Sequence, residues 1–533
     1  MNRVFKKSIS VFLSLIMVFA LVVPSFAALE TNDYPTIHIH GRSSLVYDKD
    51  GKQIYTNPDP SFSEIEYAKS LVPIMVQELS KTFVTQNWEN YSRVICDKIT
   101  PLFEMIQLDE NGDAKDGTNG GEWKVGTALA PSSDYSFQWD WRVDPLETAA
   151  LLKEYIKEVK RINNCDKINI DSRCLGSVIV TAYLYLVGDE AKDDIANIVL
   201  YVPTVAGSQT VGALFANQIY FDDKAIDEFV TYYMNGPDRF FNNTEYGGEL
   251  EVFIGTFCSF LYQLKVLGYG TEMFTYIYNQ IKDYMVPRLA THVFFFPTYW
   301  AMIDDRYYEV AKEQLFKENS DGYYTVDKNE YAGYITKIDN YHYNVQVNSE
   351  KILTNAKNSG INISVIAKYG DNLLPVEKNC RVQGDGRIET KALSFGATCS
   401  NITETLSEKY IASHDSKYIS ADKKIDASTC LFPDNTWFIR DCSHAEFPYS
   451  IEQFKEKLIK SKVQPTVENM KEYGYTQFMV YSESNGSLNE IKGLASSDNL
   501  YSKDFFSSLF RFLTALINLI TKAMTGKKGF NGV

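Results

Sequence analysis

Residues 167–185 read Lys-Ile-Asn-Ile-Asp-Ser-Arg-Cys-Leu-Gly-Ser-Val-Ile-Val-Thr-Ala-Tyr-Leu-Tyr, and this stretch decides the fold. Its first part is short and β-branched, which is typical of a buried strand. Its last part is apolar all round, which is typical of a buried helix. The five residues between them, Ser172 to Gly176, have the layout of a nucleophile elbow, Gly-x-Ser-x-Gly, with Cys174 in the place of the serine. Such a turn exposes the central side chain and directs helix N-terminal amides at a substrate oxygen.

The residues before and after this stretch indicate an α/β sheet. Asp144 is predicted to cap a helix, with Pro145 at its first position and Glu147 completing a capping box. That helix leads directly into the strand at Lys167, and residues 198–203 predict the next strand. The order strand, helix, strand, sharp turn, helix is that of an α/β fold with a mostly parallel sheet and helices on both faces.

Residues 34–41 form an alternating apolar run that ends in His40-Gly41 and predicts a strand followed by a tight turn. In hydrolase folds such a turn supplies one backbone N–H of the oxyanion hole, and the residue after the nucleophile supplies the other. The candidate amides are those of Arg42 and Leu175. An ordinary strand and turn is the alternative interpretation.

An acid and a base follow later in the chain. Strands are predicted at residues 363–371 and 437–440, with an Asp-Gly turn between them. Asp385 in that turn is the candidate acid, and Asp371 competes with it. His444 after the last strand is the candidate base, unless it is simply a histidine of a surface loop. Nucleophile, acid and histidine then occur in the chain order of α/β-hydrolases.

The intervening segments complete the expected organisation. Residues 63–83 and 91–106 have helical periodicity, and the Gly-, Asp- and Asn-rich residues 109–121 predict a surface loop. The aromatic-rich segment from residue 205 to 350 predicts a helical cap over Cys174. Its aromatic side chains either hold an acyl chain or form the core of the cap. The expected units are a signal peptide (1–27), the first half of an α/β-hydrolase core with an early helical excursion (28–204), the cap (205–350), the second half of the core (351–480), a linker (481–504) and an amphipathic C-terminal helix (505–526).

The N-terminus has the pattern of a secretory signal. Arg3, Lys6 and Lys7 precede an apolar run, and small residues at Ser25 and Ala27 suit the cleavage positions. A short membrane-spanning helix is the alternative. We therefore expect a secreted or extracytoplasmic protein, in which disulfides can form. Two cysteine pairs are candidates for disulfides, with buried reduced thiols as the alternative: Cys380 with Cys399, and Cys430 with Cys442.

Composition excludes some classes of function. The chain has 533 residues, of which 45% are hydrophobic and 14% aromatic, and its formal net charge is −15. A chain this acidic offers no basic field for phosphates, so we expect no nucleic-acid partner. No Cys-x-x-Cys or Cys/His cluster has the spacing of a zinc site, so we expect no metal. We expect no cofactor either.

Taken together, these segments resemble the lecithin:cholesterol acyltransferase family of α/β-hydrolases over roughly residues 33–460. The family's Tyr-Asp-Trp-Arg segment is the most distinctive match, and it stands here as Trp139-Asp140-Trp141-Arg142. The other matches are the strand 37–41, the elbow 167–184, Tyr369-Gly370, the turn 384–388 and His444.

The resemblance implies acyl-ester chemistry on lipids, by hydrolysis or by acyl transfer. It places Cys174, Asp385 and His444 in the nucleophile, acid and base positions. The family has serine at the nucleophile, usually after a histidine and between glycines. Here Arg173 precedes Cys174, Ser172 and Ser177 replace two glycines, and the family's Gly-Asp-Gly-Thr-Val is Gly-Asp-Gly-Arg-Ile.

A cysteine nucleophile is chemically reasonable in this position. A thiolate attacks well at neutral pH if its pKa is depressed. A helix N-terminus, the cation of Arg173 and a protonated His444 would all depress the pKa of Cys174. The alternative is a catalytically degenerate protein that uses its pocket to bind a lipid or a partner.

The C-terminal segment 505–524 is apolar with a narrow polar stripe, and Lys527 and Lys528 follow it. This pattern is typical of a helix that lies in a membrane interface. Packing of this helix on its own domain is the alternative. The expected partners are therefore a lipid or other acyl-ester substrate and a membrane surface.

Overall fold

The computed structural model describes residues 30–41, 45–55, 64–235, 271–320 and 322–493. The expected signal peptide, the expected C-terminal helix and Arg42 lie outside the described residues, as does part of the expected cap. No helix among the described residues is both long enough and apolar enough to cross a membrane.

Eight strands form one twisted layer in the described part of the chain. Seven of them are mutually parallel, and only the last pairing is antiparallel. From one edge to the other, the strands are β14 (Ser487–Glu490), β13 (Phe478–Ser482), β12 (Thr436–Arg440), β9 (Asn362–Tyr369), β6 (Ile195–Tyr201), β5 (Ile168–Arg173), β1 (Thr36–Ile39) and β4 (Asp134–Ser136). Three small two-stranded sheets pair β2 (Val46–Tyr47) with β3 (Gln53–Tyr55), β7 (Phe316–Lys317) with β8 (Val326–Asp327), and β10 (Thr398–Cys399) with β11 (Ile425–Asp426).

Helices surround the sheet, which confirms the α/β class. They are α1 (Glu64–Thr85), α2 (Trp88–Ile99), α3 (Pro101–Glu104), α4 (Pro145–Asn163), α5 (Gly176–Val187), α6 (Ala191–Asp194), α7 (Gln209–Phe215), α8 (Asp223–Asn235), α9 (Thr271–Ile281), α10 (Met285–Val293), α11 (Pro297–Trp300), α12 (Asp305–Leu315), α13 (Ala332–Tyr341), α14 (Ser349–Asn358), α15 (Thr390–Leu393), α16 (Glu408–Ala412) and α17 (Tyr449–Lys460). Seven short turns of other helix type are Lys115–Gly117, Gly188–Glu190, His342–Gln346, Ser416–Tyr418, Ala427–Thr429, Pro433–Asn435 and Asn469–Tyr473.

The central strands and α5 form the middle of the core. Ile168 and Ile170 of β5 are fully buried, as are the residues 178–180 of α5. A fully buried aliphatic side chain of this size contributes about 1.5–3 kcal/mol relative to its exposed state. Residues 168–172 of β5 are all buried, and its polar residues Asn169, Asp171 and Ser172 each have a partner inside the protein.

Helix α4 begins as its sequence predicts. The Asp144 carboxylate accepts the N–H of Leu146 at 2.9 Å, and Pro145 takes the first helical position. The expected capping box is different, however. The carboxylate of Glu147 lies 3.0 Å from the Nζ of Lys337 on α13, so this side chain joins two helices.

A ladder of asparagines crosses the N-terminal ends of the parallel strands. Asn169 donates to Asn32 at 2.8 Å, Asn197 donates to Asn169 at 3.0 Å, and Asn362 donates to Asn197 at 2.8 Å. Asn197 also donates to the carbonyls of Ile459 and Ser461 at the end of α17. These amides satisfy one another. They join neighbouring strands at one end of the sheet to the end of α17.

The structure differs from the sequence-based expectation at three places. Residues 487–490 form the edge strand β14, although residues 481–504 were expected to be a linker; Gly486, with φ +66°, makes the hairpin turn. The helical segment 91–106 is two helices, because Pro101 has no N–H to donate and starts a new one.

The third difference concerns the cysteines. All seven cysteines in the described ranges are free thiols, so neither expected disulfide is present; Cys258 lies outside those ranges. Cys380 packs with Ala225 and Leu373, whereas Cys399 packs in a separate apolar cluster, so these two side chains do not meet.

Candidate active site

Cys174 lies on the sharp turn between β5 and α5, with φ +51° in the left-handed region that side chains rarely adopt. Two glycines make this turn possible. A Cβ on Gly176 would lie 2.1 Å from the carbonyl oxygen of Ile39, and a Cβ on Gly41 would lie 3.0 Å from the Cβ of Cys174. The end of β1 therefore packs directly against the elbow. Cys174 remains partly exposed at this edge of the sheet.

Ser172 and Ser177, on either side of Cys174, are part of the same turn. Ser177 Oγ donates to the carbonyl of Cys174 at 2.5 Å and accepts the N–H of Thr204 at 3.0 Å. Ser172 Oγ donates to the carbonyl of Val199 on the neighbouring strand at 3.2 Å. Both hydroxyls are thus satisfied inside the protein, and they brace the elbow rather than disturb it.

The structure brings Asp385 and His444 together, although 59 residues separate them in sequence. His444 Nδ1 lies 2.5 Å from Asp385 Oδ2, and both side chains are buried. The backbone N–H groups of Arg387 and Ile388 donate to Asp385 Oδ1 at 3.0 and 2.9 Å. Burial opposes ionisation of Asp385, but His444 and these two amides hold the pKa of its carboxyl below the usual value.

Asp371, the competing candidate for the acid, faces elsewhere. Its Oδ1 accepts the hydroxyl of Tyr232 on α8. Asp371 does contact the acid turn through its backbone, because its N–H donates to the carbonyl of Gly384 at 3.0 Å. The carboxylate that orients His444 is therefore Asp385.

Cys174 and His444 interact directly, and each shifts the pKa of the other. Burial opposes the thiolate, but His444, the Leu175 N–H and Arg387 together lower the pKa of the Cys174 thiol below its ordinary value of 9.0. Burial likewise opposes the imidazolium, yet Asp385 and Cys174 raise the pKa of His444 to about 9. These opposite shifts favour a thiolate–imidazolium pair around neutral pH.

The cation that supports the thiolate is Arg387 rather than the expected Arg173. Arg387 lies in the turn after Asp385 and lowers the pKa of Cys174. The guanidinium of Arg173 lies over the ring of Phe447, with its carbon 3.6 Å from the ring centroid. Consecutive side chains point in different directions along the turn. The Arg173 side chain, next to Cys174 in sequence, is therefore directed at Phe447 rather than at the sulfur.

Of the two amides expected to form an oxyanion hole, only that of Leu175 lies among the described residues. The N–H of Leu175 faces the Cys174 sulfur, as the residue after a nucleophile does. The other candidate, Arg42, lies outside the described residues. Trp139 fixes the end of the strand that leads to Arg42, because its indole N–H donates to the carbonyl of His40 at 3.2 Å.

Residues of the predicted cap segment reach the site's supporting elements. Thr298 Oγ1 donates to the carbonyl of Trp141 at 2.5 Å. Glu389, four residues after Asp385, accepts the N–H of Thr210 at 3.2 Å and its hydroxyl at 3.3 Å at the start of α7. The acid turn and the first helix after β6 are therefore joined through one buried carboxyl.

Sequence reasoning missed two residues that donate to the backbone of the turn around His444, Lys368 and Tyr201. A signal was present for Lys368, because it is a charged residue within the apolar run 363–369 of a central strand. Such a residue is costly to bury without partners, and it therefore marks a specific polar site. Tyr201 carried no comparable signal.

Among the described residues, no group of three or more His, Cys, Asp or Glu side chains is placed to hold a metal ion. Comparison of the chain with protein-family models and with curated proteins finds no match in either case.

Proposed function

We propose that this chain is an α/β-hydrolase-fold acyl-ester hydrolase or acyltransferase that attacks its substrate through Cys174, with His444 as base and Asp385 orienting it. The positions of these residues in the sheet support the proposal. Cys174 follows β5, Asp385 lies beyond β9 and His444 follows β12, so all three come after the carboxyl ends of parallel strands. Ligands bind outside the carboxyl ends of strands in open α/β sheets.

The observation that carries the proposal is the series Cys174–His444–Asp385 at a left-handed elbow, in which His444 is bonded to Asp385 and lowers the pKa of the Cys174 thiol. A structural cysteine in an apolar core has a raised pKa, as Cys96 and Cys380 do, both at about 12. The pKa of Cys174 is shifted in the opposite direction. A depressed thiol pKa beside a histidine is typical of a cysteine nucleophile.

The geometry supports the following first half-reaction. The thiolate sulfur of Cys174 attacks the ester carbonyl carbon, and the carbonyl π electrons move to the oxygen, next to the Leu175 N–H. The tetrahedral adduct collapses, the bond to the alkoxy oxygen breaks, and His444 gives its proton to the leaving alcohol. The product is a thioester on Cys174.

In the second half-reaction, neutral His444 takes a proton from water or from an acceptor alcohol. The resulting nucleophile attacks the thioester carbon and expels the Cys174 thiolate beside the protonated His444. Water releases a free acid, and an alcohol releases a new ester. Asp385 holds Nδ1 throughout, so the other ring nitrogen serves the sulfur and the substrate.

The substrate class we propose, a lipid-like ester met outside the cytoplasm, comes from the resemblance to lipid acyltransferases and from the signal-like N-terminus. The aromatic pairs of the segment 271–350 are buried and form its core, the other use that the sequence left open for them: Phe295 stacks on Tyr334 with centroids 4.4 Å apart, and Phe296 packs against Trp141 at 4.9 Å.

The test is turnover of p-nitrophenyl esters of increasing acyl length by the full chain, before and after alkylation with iodoacetamide. We expect a burst of p-nitrophenol, a thioester on the peptide that contains Cys174, and loss of turnover after alkylation or in Cys174→Ala. Cys165→Ser is the matched control, because Cys165 is also a partly exposed free thiol but lies at the end of α4. Lipid retention without any turnover would establish instead the degenerate binding protein, and turnover unchanged in Cys174→Ala would overturn Cys174 as the nucleophile.

A further inference from the structure

The turn that carries His444 rests on a buried cation. Lys368 on β9 has no exposed surface, and its Nζ donates to the carbonyl oxygens of Ser443 and Glu446, at 2.7 Å in each case. These two carbonyls flank His444 in sequence. The N–H of Glu446 also donates to the carbonyl of Ser443 at 3.1 Å, so the turn is closed by its own backbone and clamped by the ammonium.

Two aromatic rings complete the surroundings of this ammonium. Nζ of Lys368 lies 4.8 Å from the ring centroid of Tyr201 and 5.3 Å from that of Phe447. The Tyr201 hydroxyl donates to the same Glu446 carbonyl at 3.1 Å. The carbonyl dipoles of the turn and the faces of the two rings therefore stabilise the charge of Lys368.

The opposite side of the turn is fixed by the acid. The N–H of His444 donates to the carbonyl of Asp385 at 2.8 Å, in addition to the side-chain bond between the two residues. The imidazole is therefore set between two anchors, Asp385 on one side and the Lys368 clamp on the other. Loss of one anchor leaves the ring free to move away from the sulfur.

We propose that Lys368 is a positioning residue that holds the turn 443–446 in the conformation that places the His444 ring between Asp385 and Cys174. This inference rests on the proposed function of His444 as the base for Cys174. A shift of about 1 Å at a reacting group can cost a hundredfold in rate, so a residue that never touches substrate has a large effect here. In Lys368→Met the side chain keeps its length, but both carbonyls lose their shared donor.

The experiment measures the rate of alkylation of Cys174 by iodoacetamide against pH, followed by mass spectrometry of the Cys174 peptide. Alkylation reports the thiolate without any substrate. In the wild type we expect rapid alkylation well below the ordinary thiol pKa. In Lys368→Met we expect the pH midpoint to rise and the rate at pH 7 to fall by about tenfold, with similar rates at high pH.

Lys424→Met is the matched control, because Lys424 is also buried and its Nζ donates to a backbone carbonyl, that of Ile402, at 2.5 Å. We expect Lys424→Met to retain the wild-type alkylation profile. A double variant with His444→Gln distinguishes a loss of His444 positioning from a general loss of structure. In the His444→Gln background, Lys368→Met should cause no further change in the alkylation profile of Cys174.

Other outcomes of the alkylation experiment would overturn one or both proposals. A wild-type profile in Lys368→Met, or an equal shift in the His444→Gln background, overturns the role of Lys368 while leaving the proposed function intact. An ordinary thiol profile in the wild type itself overturns both the proposed thiolate nucleophile and the role of Lys368.

Discussion

Cys174 adopts a backbone conformation that few residues with side chains adopt, and the close approach of β1 to the elbow leaves little room around it. The closest approach is at Gly176, where an added Cβ would lie 2.1 Å from a backbone oxygen. A backbone atom cannot rotate aside as a side chain does, so either the strand or the helix must move. This single contact therefore couples the Cys174 turn to the end of β1.

We accordingly expect Gly176→Ala to destabilise the protein by more than about 2 kcal/mol and to abolish turnover. Urea denaturation and ester turnover measure the two effects. Gly333→Ala is the control, since Gly333 also lies early in a helix but its added Cβ meets the end of the Asn111 side chain, which can rotate. A change below about 1 kcal/mol is expected there. Equal stability of the two variants would contradict the tight elbow.

The residues of the candidate site differ in how far sequence identifies them. Cys174, Asp385 and His444 each follow a strand signal and are named by motif position, and the structure brings these three together. The cation at the thiolate was assigned to Arg173, the sequence neighbour, and is instead Arg387. Which side chain reaches a sulfur depends on the direction of a turn, and no local pattern encodes that direction.

At the scale of secondary structure, Glu389 links the acid turn to helix α7. Its carboxyl is buried, and burial raises its pKa from 4.5 to about 7, while the amides and hydroxyls at the start of α7 act in the opposite direction. The native state therefore binds a proton that the unfolded chain releases between pH 4.5 and pH 7. Stability contributed by this group falls as pH rises through that interval, and the loss is complete above pH 7.

We expect the stability of the wild type relative to Glu389→Gln to decrease by about 3 kcal/mol between pH 4.5 and pH 8. Glutamine keeps the oxygen that accepts from Thr210 but carries no charge. Urea denaturation at both pH values measures the difference. Glu404→Gln is the control: Arg381 lowers the pKa of the exposed Glu404, so any effect of its charge on stability has the opposite sign and is confined to the acid end of this range. A pH-independent difference for Glu389→Gln would contradict the buried carboxyl.

Strands and helices with strong periodicity could be predicted, and edge elements could not. The segment 167–187 changes from a β-branched run to a mostly apolar one. This change predicts a strand followed by a helix, which the structure has. Strand β14 was missed because Ser487–Glu490 carries one apolar residue, and it is a strand only because β13 offers it a free edge. Pairing of this kind is decided by tertiary contacts rather than by the sequence of the strand.

At the scale of the whole molecule, a polar segment stands in the sequence between the strands of the sheet and the apolar C-terminal residues 505–524. Exposed apolar surface costs about 25 cal/mol per Å², so residues 505–524 must be buried against something. We predict a membrane surface, with the flanking lysines attracted to anionic lipids. Liposome flotation of the full chain should exceed that of a variant that ends at Asp498. Equal flotation of the two, or none by either, would contradict this role of the tail.

The asparagine ladder also has a consequence for the order in which the chain can fold. The amide of Asn32 donates to the carbonyl of Ser461, a partner 429 residues later in the chain. A ribosome has made most of the protein before this partner exists, so the base of the sheet stays open while the rest is synthesised. Contacts of such long range slow folding. Strands β12, β13 and β14 and the segment around Ser461 therefore complete the sheet late in synthesis.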